Sequence, residues 1–368
     1  MLKRTLWCWV AVAVVAPELA AQTVRGRLLD ATSAEPVAGA LIVLVDAGGN
    51  EVASTVSSAR GTYVVRAPGA GRYRLRAERI GFENSTSGEL TLLAGQSATE
   101  DLIASSSAIV LPLLEVESRS DCRVRPEVGY ATYTLWEEAR KALEITERTT
   151  AAYRFDAVNY ERLVNVWGEP LEQGDLQFIS YAGRHPWRSV PIDELEEHGY
   201  AVEAEEGTYF YGPDPEVLLS DSFQDSHCFR FRKGDEEGTV GLAFQPVRFI
   251  HDRVDVEGVL WIDRESSRLR TLDFSYTGIE PPTRLGTGPG PYGRMEFDQL
   301  PSGGWIIREW WIRTPVGSRD RGPQTFVTYA QRGGRVNHTE RLGASSSARR
   351  PVPSVYGPPP KADSSGTP

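Results

Sequence analysis

Between Val24 and Arg79 the chain is cut into short apolar-alternating runs by Gly, Pro, Asp and Asn at close, regular intervals. A period of two sends successive side chains to opposite faces of a strand, and the punctuation leaves no run long enough for an ordinary helix. Such a stretch buries its apolar half by folding as a small antiparallel β-sandwich. The runs place strands at Val24–Leu29, Leu41–Val45, Val52–Ser57, Tyr63–Arg66, Tyr73–Arg79, Glu89–Leu93 and Ala98–Ile103. Ile109–Val116 either completes the sheet or leads out of it. Asp46-Ala-Gly-Gly-Asn50 reads as a hairpin turn, because Gly and Asn accept positive φ cheaply. Alternation selects Val43, Val45, Val64, Tyr73 and Leu75 as the core.

Gly26, Asp30, Pro36, Gly39, Asp46, Gly61, Tyr63, Gly71, Tyr73, Leu75 and Gly81 together resemble the pattern of the carboxypeptidase regulatory-like domain, a transthyretin-like sandwich. The resemblance implies that these positions shape turns and core and do not catalyse. It also implies a module that binds or supports, of the kind found at the front of envelope proteins, including outer-membrane receptors. Neither plug nor barrel follows here, so the receptor role is not implied. A sugar ligand is an expectation by analogy with the carbohydrate-binding-like folds of the same superfamily.

The chain opens with Met1-Leu2-Lys3-Arg4, an apolar run from Leu6 to Ala16, and small residues ending at Ala21. A basic start, a short apolar core and a small-residue end make a secretory signal with its cut after Ala21. The apolar run is too short to span a bilayer, and no second run of about 18 apolar residues follows. The expectation is an exported chain without a membrane span, placed in the periplasm, at the outer membrane or outside the cell. Loss of residues 1–21 removes two cations and one anion and takes the formal charge from −10 to −11. A surface this acidic is a poor partner for nucleic acid, whose affinity rests on neutralised phosphates.

Two cysteines then remain, Cys122 and Cys228. In an exported chain an even pair points to one disulfide. It would close a loop of about 105 residues and add at most roughly 4–5 kcal/mol in the loop-entropy account. Non-reducing peptide mapping is expected to find the two linked; two alkylatable thiols in the native exported protein would refute the bridge.

From about Asp121 to Arg341 the pattern changes. Leu135, Ala139, Ala142, Leu143 and Ile145 form one stripe at helical spacing. Val190–His198 reads as a second helix with Pro191 at its first position and Gly199 as its stop. Asp214 caps and Pro215 opens a third, short one. Strands are expected at Ala152–Phe155, Tyr160–Val166 and Leu176–Tyr181, then in a meander: Phe229–Lys233, Val240–Phe244, Asp255–Asp263, Leu269–Thr277, Gly293–Gln299, Trp305–Thr314 and Thr325–Gln331. The blocks from Val256 to Ile279 and from Gly293 to Pro315 are similar to sheets of the lipoprotein-sorting, LolA/LolB-like type, which implies a half-barrel around acyl chains. The two-part arrangement also resembles exported bacterial proteins carrying the same front module. From Gly343 the Ser/Pro/Gly composition is that of a disordered tail.

Catalytic chemistry finds few candidates. None of His185, His198, His227, His251 and His338 has Asp or Glu three positions on, and His-Glu-x-x-His does not occur, so the sequence offers no zinc carboxypeptidase motif. Gly-x-Ser-x-Gly and phosphate-cradling loops are likewise missing from the sequence, and no cofactor is implied. His227 and Cys228 are adjacent on a strand and face opposite ways, so they form no dyad. The paired carboxylates Asp193 with Glu194 and Asp252 with Asp255 read as solvated surface. Aromatics are the remaining signal. Trp310 and Trp311 face opposite ways on one strand, with Trp261 on a partner strand. One of the pair belongs to the core. The other, beside Arg308 and Arg313, either packs or faces out to stack on a sugar or line an apolar groove.

The reading is therefore a mostly β chain. A signal (1–21) precedes a transthyretin-like sandwich (22–117), an α+β domain with a curved antiparallel sheet and two or three helices (121–341), and the tail (343–368). It reads as a non-enzymatic binding or scaffold module of the cell envelope, its partner an envelope protein or a carbohydrate. The alternative is a periplasmic carrier of lipid-like ligands, which requires an apolar hollow under the sheet Asp255–Thr314.

Overall fold

The computed structural model describes residues 22–107, 130–204, 207–248, 253–279, 290–316 and 328–342. Cys122, His251, Asp252, the strand expected at 109–116, the signal and the tail lie outside them. The front module is a sandwich of two sheets. One holds Thr62–Ala67, Gln22–Asp30, Ser97–Thr99 and Leu102–Ala104; the other holds Glu51–Val56, Leu41–Asp46, Gly71–Glu78, Ser85–Thr86 and Leu90–Leu92. The single strand expected at 98–103 is two short ones, and both pair parallel to Gln22–Asp30 instead of antiparallel. The Asp46 turn forms as its sequence dictates: its Oδ1 accepts the backbone N–H of Gly48 and Asn50 at 2.8 and 2.9 Å, and Gly49 takes φ +87°.

The expected core needs two corrections. Val64 is 56% exposed, and Tyr63 and Val65 face inward in its place. Strand Leu41–Asp46 is apolar on both sides, so its own parity carries no information. Ile42 and Leu44 fill the sandwich with Tyr73 and Leu75. Leu41 and Val43, with Ile80, instead join the core of the following α+β part, and Val45 packs against it. The sandwich thus has an apolar outer face that is covered by the rest of the chain.

The cover is helix α1 (Tyr130–Ala152), longer than its stripe suggested. Its buried face, Leu135, Ala139, Ala142, Leu143 and Ile145, packs between the sandwich and the large sheet. The seam is also ionic. Glu78, only 3% exposed, takes Arg140 Nη2 at 3.0 Å, and Arg140 reaches Glu137 and Glu144 on its own helix. Buried Lys141 donates to Phe82 O at 2.9 Å and to Glu138 at 2.6 Å, while Glu138 accepts the N–H of Gly81 at 2.7 Å. Burying these charges is tolerable because each meets an opposite charge and further hydrogen bonds.

Three short helices follow: α2 (Ile192–His198), α3 (Pro215–Leu219) and α4 (Asp221–Ser226). Among the described residues this makes four helices, one more than the upper expectation. Asp214 caps α3 through the N–H of Val217, with Pro215 inside the first turn; Pro191 stands at the N-cap of α2, not at its first position. The two strands expected around residue 157 are one, Tyr153–Val164, with a bulge at Asp156/Ala157.

The large sheet is open, antiparallel and nine-stranded. Its order is Asp175–Ala182, Tyr153–Val164, Thr328–Arg341, Trp305–Val316, Tyr292–Gln299, Arg268–Thr277, Asp255–Asp263, Thr239–Pro246, His227–Lys233. Bulges at Asp156/Ala157, Trp261/Ile262 and Glu296/Phe297 bend it. Under the stretch 255–314 the inner face is filled by Leu260, Leu272, Phe274, Met295, Phe297, Trp305 and Trp310 against the helices. Side chains occupy the inner face there apart from a hollow of about 80 Å3 lined by Trp187, Phe210, Ile312 and Ala330, small beside the volume of an acyl chain.

One half-buried carboxyl on α1 sets a pH dependence. Burial drives Glu147 up to about 7, against the pull of Arg188 at 3.4 Å and with a push from Asp214 and Glu216. A carboxyl raised in the folded state contributes stability that is full below its ordinary value of 4.5 and is lost as pH rises through 7. Thermal melts from pH 5 to 8 are therefore expected to show Glu147→Gln gaining on the parent as pH rises. A constant difference across the range would contradict this.

Candidate functional site

The alternation that fills the inner face sends the other half of each strand outward, and the register sorts those residues into rows. One row runs Ala243, Val259, Asp273, Arg294, Trp311, Gly333, Tyr160 across seven strands. The next runs Glu257, Ser275, Tyr292, Arg313, Gln331, Arg162. Between them lies an open groove of about 460 Å3. Ala243, Val259 and Ser275 form its floor, with Arg232, Gln245 and Glu257 towards one side and Tyr292, Arg294 and Trp311 towards the other.

Its polar groups are fixed by one another. Arg294 grips Asp273 with Nε at 2.5 Å and Nη2 at 3.1 Å, a two-pronged contact that raises the guanidinium above its ordinary value and keeps it a cation. The indole N–H of Trp261 donates to the same carboxylate at 3.0 Å. Arg313 lies 4.0 Å over the Trp311 ring, and donates to Gln331 Oε1 at 2.7 Å and Tyr292 Oη at 3.1 Å. Tyr292 meets Trp311 edge-on at 5.5 Å. Gln331 in turn donates to Tyr160 Oη at 3.2 Å. Side chains locked this way lose little further rotamer entropy when a ligand arrives.

Trp261, Trp311 and Arg313 therefore share one outward face. Trp310 is the inward member of the pair, 1% exposed and edge-on to His185 at 5.3 Å. Arg308 is the extra residue of a bulge and turns away, to Asp298 at 2.8 Å and to Val336 O at 3.2 Å. The residues that sequence reasoning missed, Asp273, Tyr292, Arg294 and Gln331, sit on strands it did find. Only the pairing register brings them to Trp311.

A second hollow, of about 340 Å3, contains Ser226, His227 and Asp255. His227 Nδ1 faces Ser226 Oγ at 3.0 Å and Phe223 O at 3.1 Å; Nε2 faces Val256 O at 3.1 Å and Asp255 Oδ1 at 3.3 Å. Asp255 is thus half-buried and paired, not solvated surface; although burial alone would raise its carboxyl, His227 and Arg253 hold it below the usual range. Ser226 Oγ donates to Phe223 O at 3.2 Å, and both ring nitrogens of His227 also lie against backbone carbonyl oxygens, so the Ser226–His227 contact is part of the hydrogen-bonded end of α4. The ring ties the end of α4 to the sheet and stacks on Phe223 at 3.8 Å. Among the described residues no group of three or more His, Cys, Asp or Glu is placed to hold a metal ion, and no helix is long and apolar enough to cross a membrane.

The front module's turns and core have a counterpart among known families. Residues 23–104 match the carboxypeptidase regulatory-like domain. No curated protein matches the chain. Several solved structures are similar to part of it. A 5-hydroxyisourate hydrolase of Klebsiella pneumoniae is 19% identical over 23% of this chain and 86% of its own, with a TM-score of 0.20. A putative carbohydrate binding protein of Bacteroides uniformis is 12% identical over 66% of this chain and 98% of its own, with a TM-score of 0.21. A shaft pilin of Lactobacillus rhamnosus GG is 9% identical over 45% and 76%, with a TM-score of 0.20. Nothing about function follows from likenesses this distant. The regulatory-like domain accounts for the sandwich, and the groove lies wholly outside it.

Proposed function

We propose that this is an exported, non-enzymatic binding module of the cell envelope whose large sheet takes a carbohydrate on its outer face. The observation that carries the reading is the pair of outward rows: Trp311 lines an open groove together with Arg294, Asp273, Tyr292 and Gln245. A pyranose offers an apolar C–H face and a rim of hydroxyls. The Trp311 indole supplies an apolar surface for the first, and the paired Arg294 guanidinium and Asp273 carboxylate with the Gln245 amide supply donors and acceptors for the second. The regulatory-like domain supports the sheet from behind through α1. Export rests on the basic, apolar and small-residue pattern of residues 1–21.

The test is a glycan array followed by calorimetry on the exported chain. A bound glycan is expected to lose at least about tenfold in affinity with Trp311→Ala, the loss of roughly 1.4 kcal/mol of stacking. Trp310→Phe is expected to leave binding unchanged. An array without a single binder, or binding indifferent to Trp311, would sink the carbohydrate reading.

A further inference from the structure

The two edges of the nine-stranded sheet are built differently. His227–Lys233, at one end, is guarded. It carries Arg230, Arg232 and Lys233, and its outward N–H at Phe231 is taken by Thr132 Oγ1 of α1 at 3.1 Å. Cations and a covering element are the usual protection of a free edge against pairing with another chain. Asp175–Ala182, at the other end, reads DLQFISYA and has no Lys, Arg, Pro or bulge. Its Phe178 is 80% exposed and its Leu176 49%.

The backbone of this strand is also poised for a partner. Gly183 N–H donates to Tyr153 O at 2.8 Å, directly across the pair. In an antiparallel ladder hydrogen-bonded and non-bonded pairs alternate, so Asp175, Gln177, Ile179 and Tyr181 point their N–H and C=O groups inward. Leu176, Phe178 and Ser180 point theirs away from the sheet. Those groups have no protein partner among the described residues.

We propose that this edge pairs with the same edge of a second copy of the chain, about a twofold axis through Phe178. A twofold perpendicular to the sheet keeps each copy's faces aligned, so opposed residues must share parity. Centring it on Phe178 sets Phe178 against Phe178 and Leu176 against Ser180. All three then fall at hydrogen-bonded positions, and each outward group finds a partner. The same register sets Asp175 of one copy against Tyr181 of the other. Arg184 stacks 5.6 Å over that Tyr181 ring, and among the described residues neither Arg184 nor Asp175 has an ion-pair partner. Two Asp175–Arg184 contacts therefore form across the axis, and the strand brings no like charges together. This complementarity of the strand with itself is what selects a second copy as the occupant. The outer faces of both copies become one eighteen-stranded surface, with a groove on each half.

Analytical ultracentrifugation of the full exported chain tests this. The parent is expected to form a dimer in a concentration-dependent way. Phe178→Lys is expected to raise the dimer dissociation constant by at least about thirtyfold, as loss of a central aromatic anchor does. Leu176→Pro removes an outward N–H without touching the native ladder, so it is expected to give a folded monomer. Circular dichroism and melting temperature, close to the parent's, verify that both variants fold; Phe178→Tyr keeps the ring and is expected to keep the dimer. A parent that stays monomeric up to about 100 μM, or a dimer indifferent to both edge variants, overturns the proposal.

Discussion

Gly39→Ala is expected to destabilise the protein by about 3 kcal/mol or more, although it adds a single methyl. Two effects add. Gly39 holds φ +70°, a left-handed conformation that costs a non-glycine residue roughly 1 kcal/mol. Its Cβ would also stand 2.0 Å from the carbonyl oxygen of Gly303. That oxygen belongs to the hairpin turn between Tyr292–Gln299 and Trp305–Val316, so the clash is between the backbones of the sandwich and the large sheet. Neither can yield without opening the seam that buries Leu41, Val43 and Ile80. Gly49 is the control, with φ +87° and nothing within 4 Å of its Cβ position. Gly49→Ala should cost only the strain, about 1 kcal/mol. Denaturant unfolding of both variants decides the matter, and equal costs would show that the backbone contact contributes nothing.

Trp310→Ala is expected to cost about 3–5 kcal/mol, the range for removing a buried aromatic from a packed core. Trp310 lies between His185 and Trp187, and Gly334 leaves room for its ring. The cavity has a second signature. Burial lowers His185 to about 4 from its ordinary 6.5, while its Nε2–H donates to Ile307 O at 2.7 Å and its Nδ1 accepts the N–H of Trp187 at 3.0 Å. A histidine lowered in the folded state contributes stability that is present above pH 6.5 and lost as pH falls towards 4. Water entering the cavity relieves that desolvation, so the variant is expected to show a flatter stability profile between pH 4 and 6.5. Urea melts at several pH values check both parts. A loss below about 1 kcal/mol would mean that the site collapses around the missing ring.

The two glycines and the tryptophan also mark how far the sequence could be followed. Strand positions were legible wherever one face is dry and the other wet, as in Thr62–Ala67, although the parity chosen there, with Val64 inside, was the wrong one. In Leu41–Asp46 both faces are buried, and no alternation exists to be read. The opposition of Trp310 and Trp311 followed from adjacency alone. Arg308, expected beside the outward tryptophan, is opposite in parity to Trp311 even in a regular strand, and is in fact the extra residue of a bulge, held by Asp298. Asp273, Arg294 and Trp311 are 21 and 17 residues apart in sequence and become neighbours only through pairing.

By itself the sequence determined the classes of its elements. Gly, Asn and Asp fix turns through φ, and periods of two and 3.6 fix strand and helix, because these are local steric facts. The parity of the strand, the sharing of one core between sandwich and sheet, the outward rows that make the groove, and the unguarded edge at Phe178 were decided by the tertiary structure. Each depends on register and on which neighbour covers a face, and these are set by contacts between residues far apart in the chain.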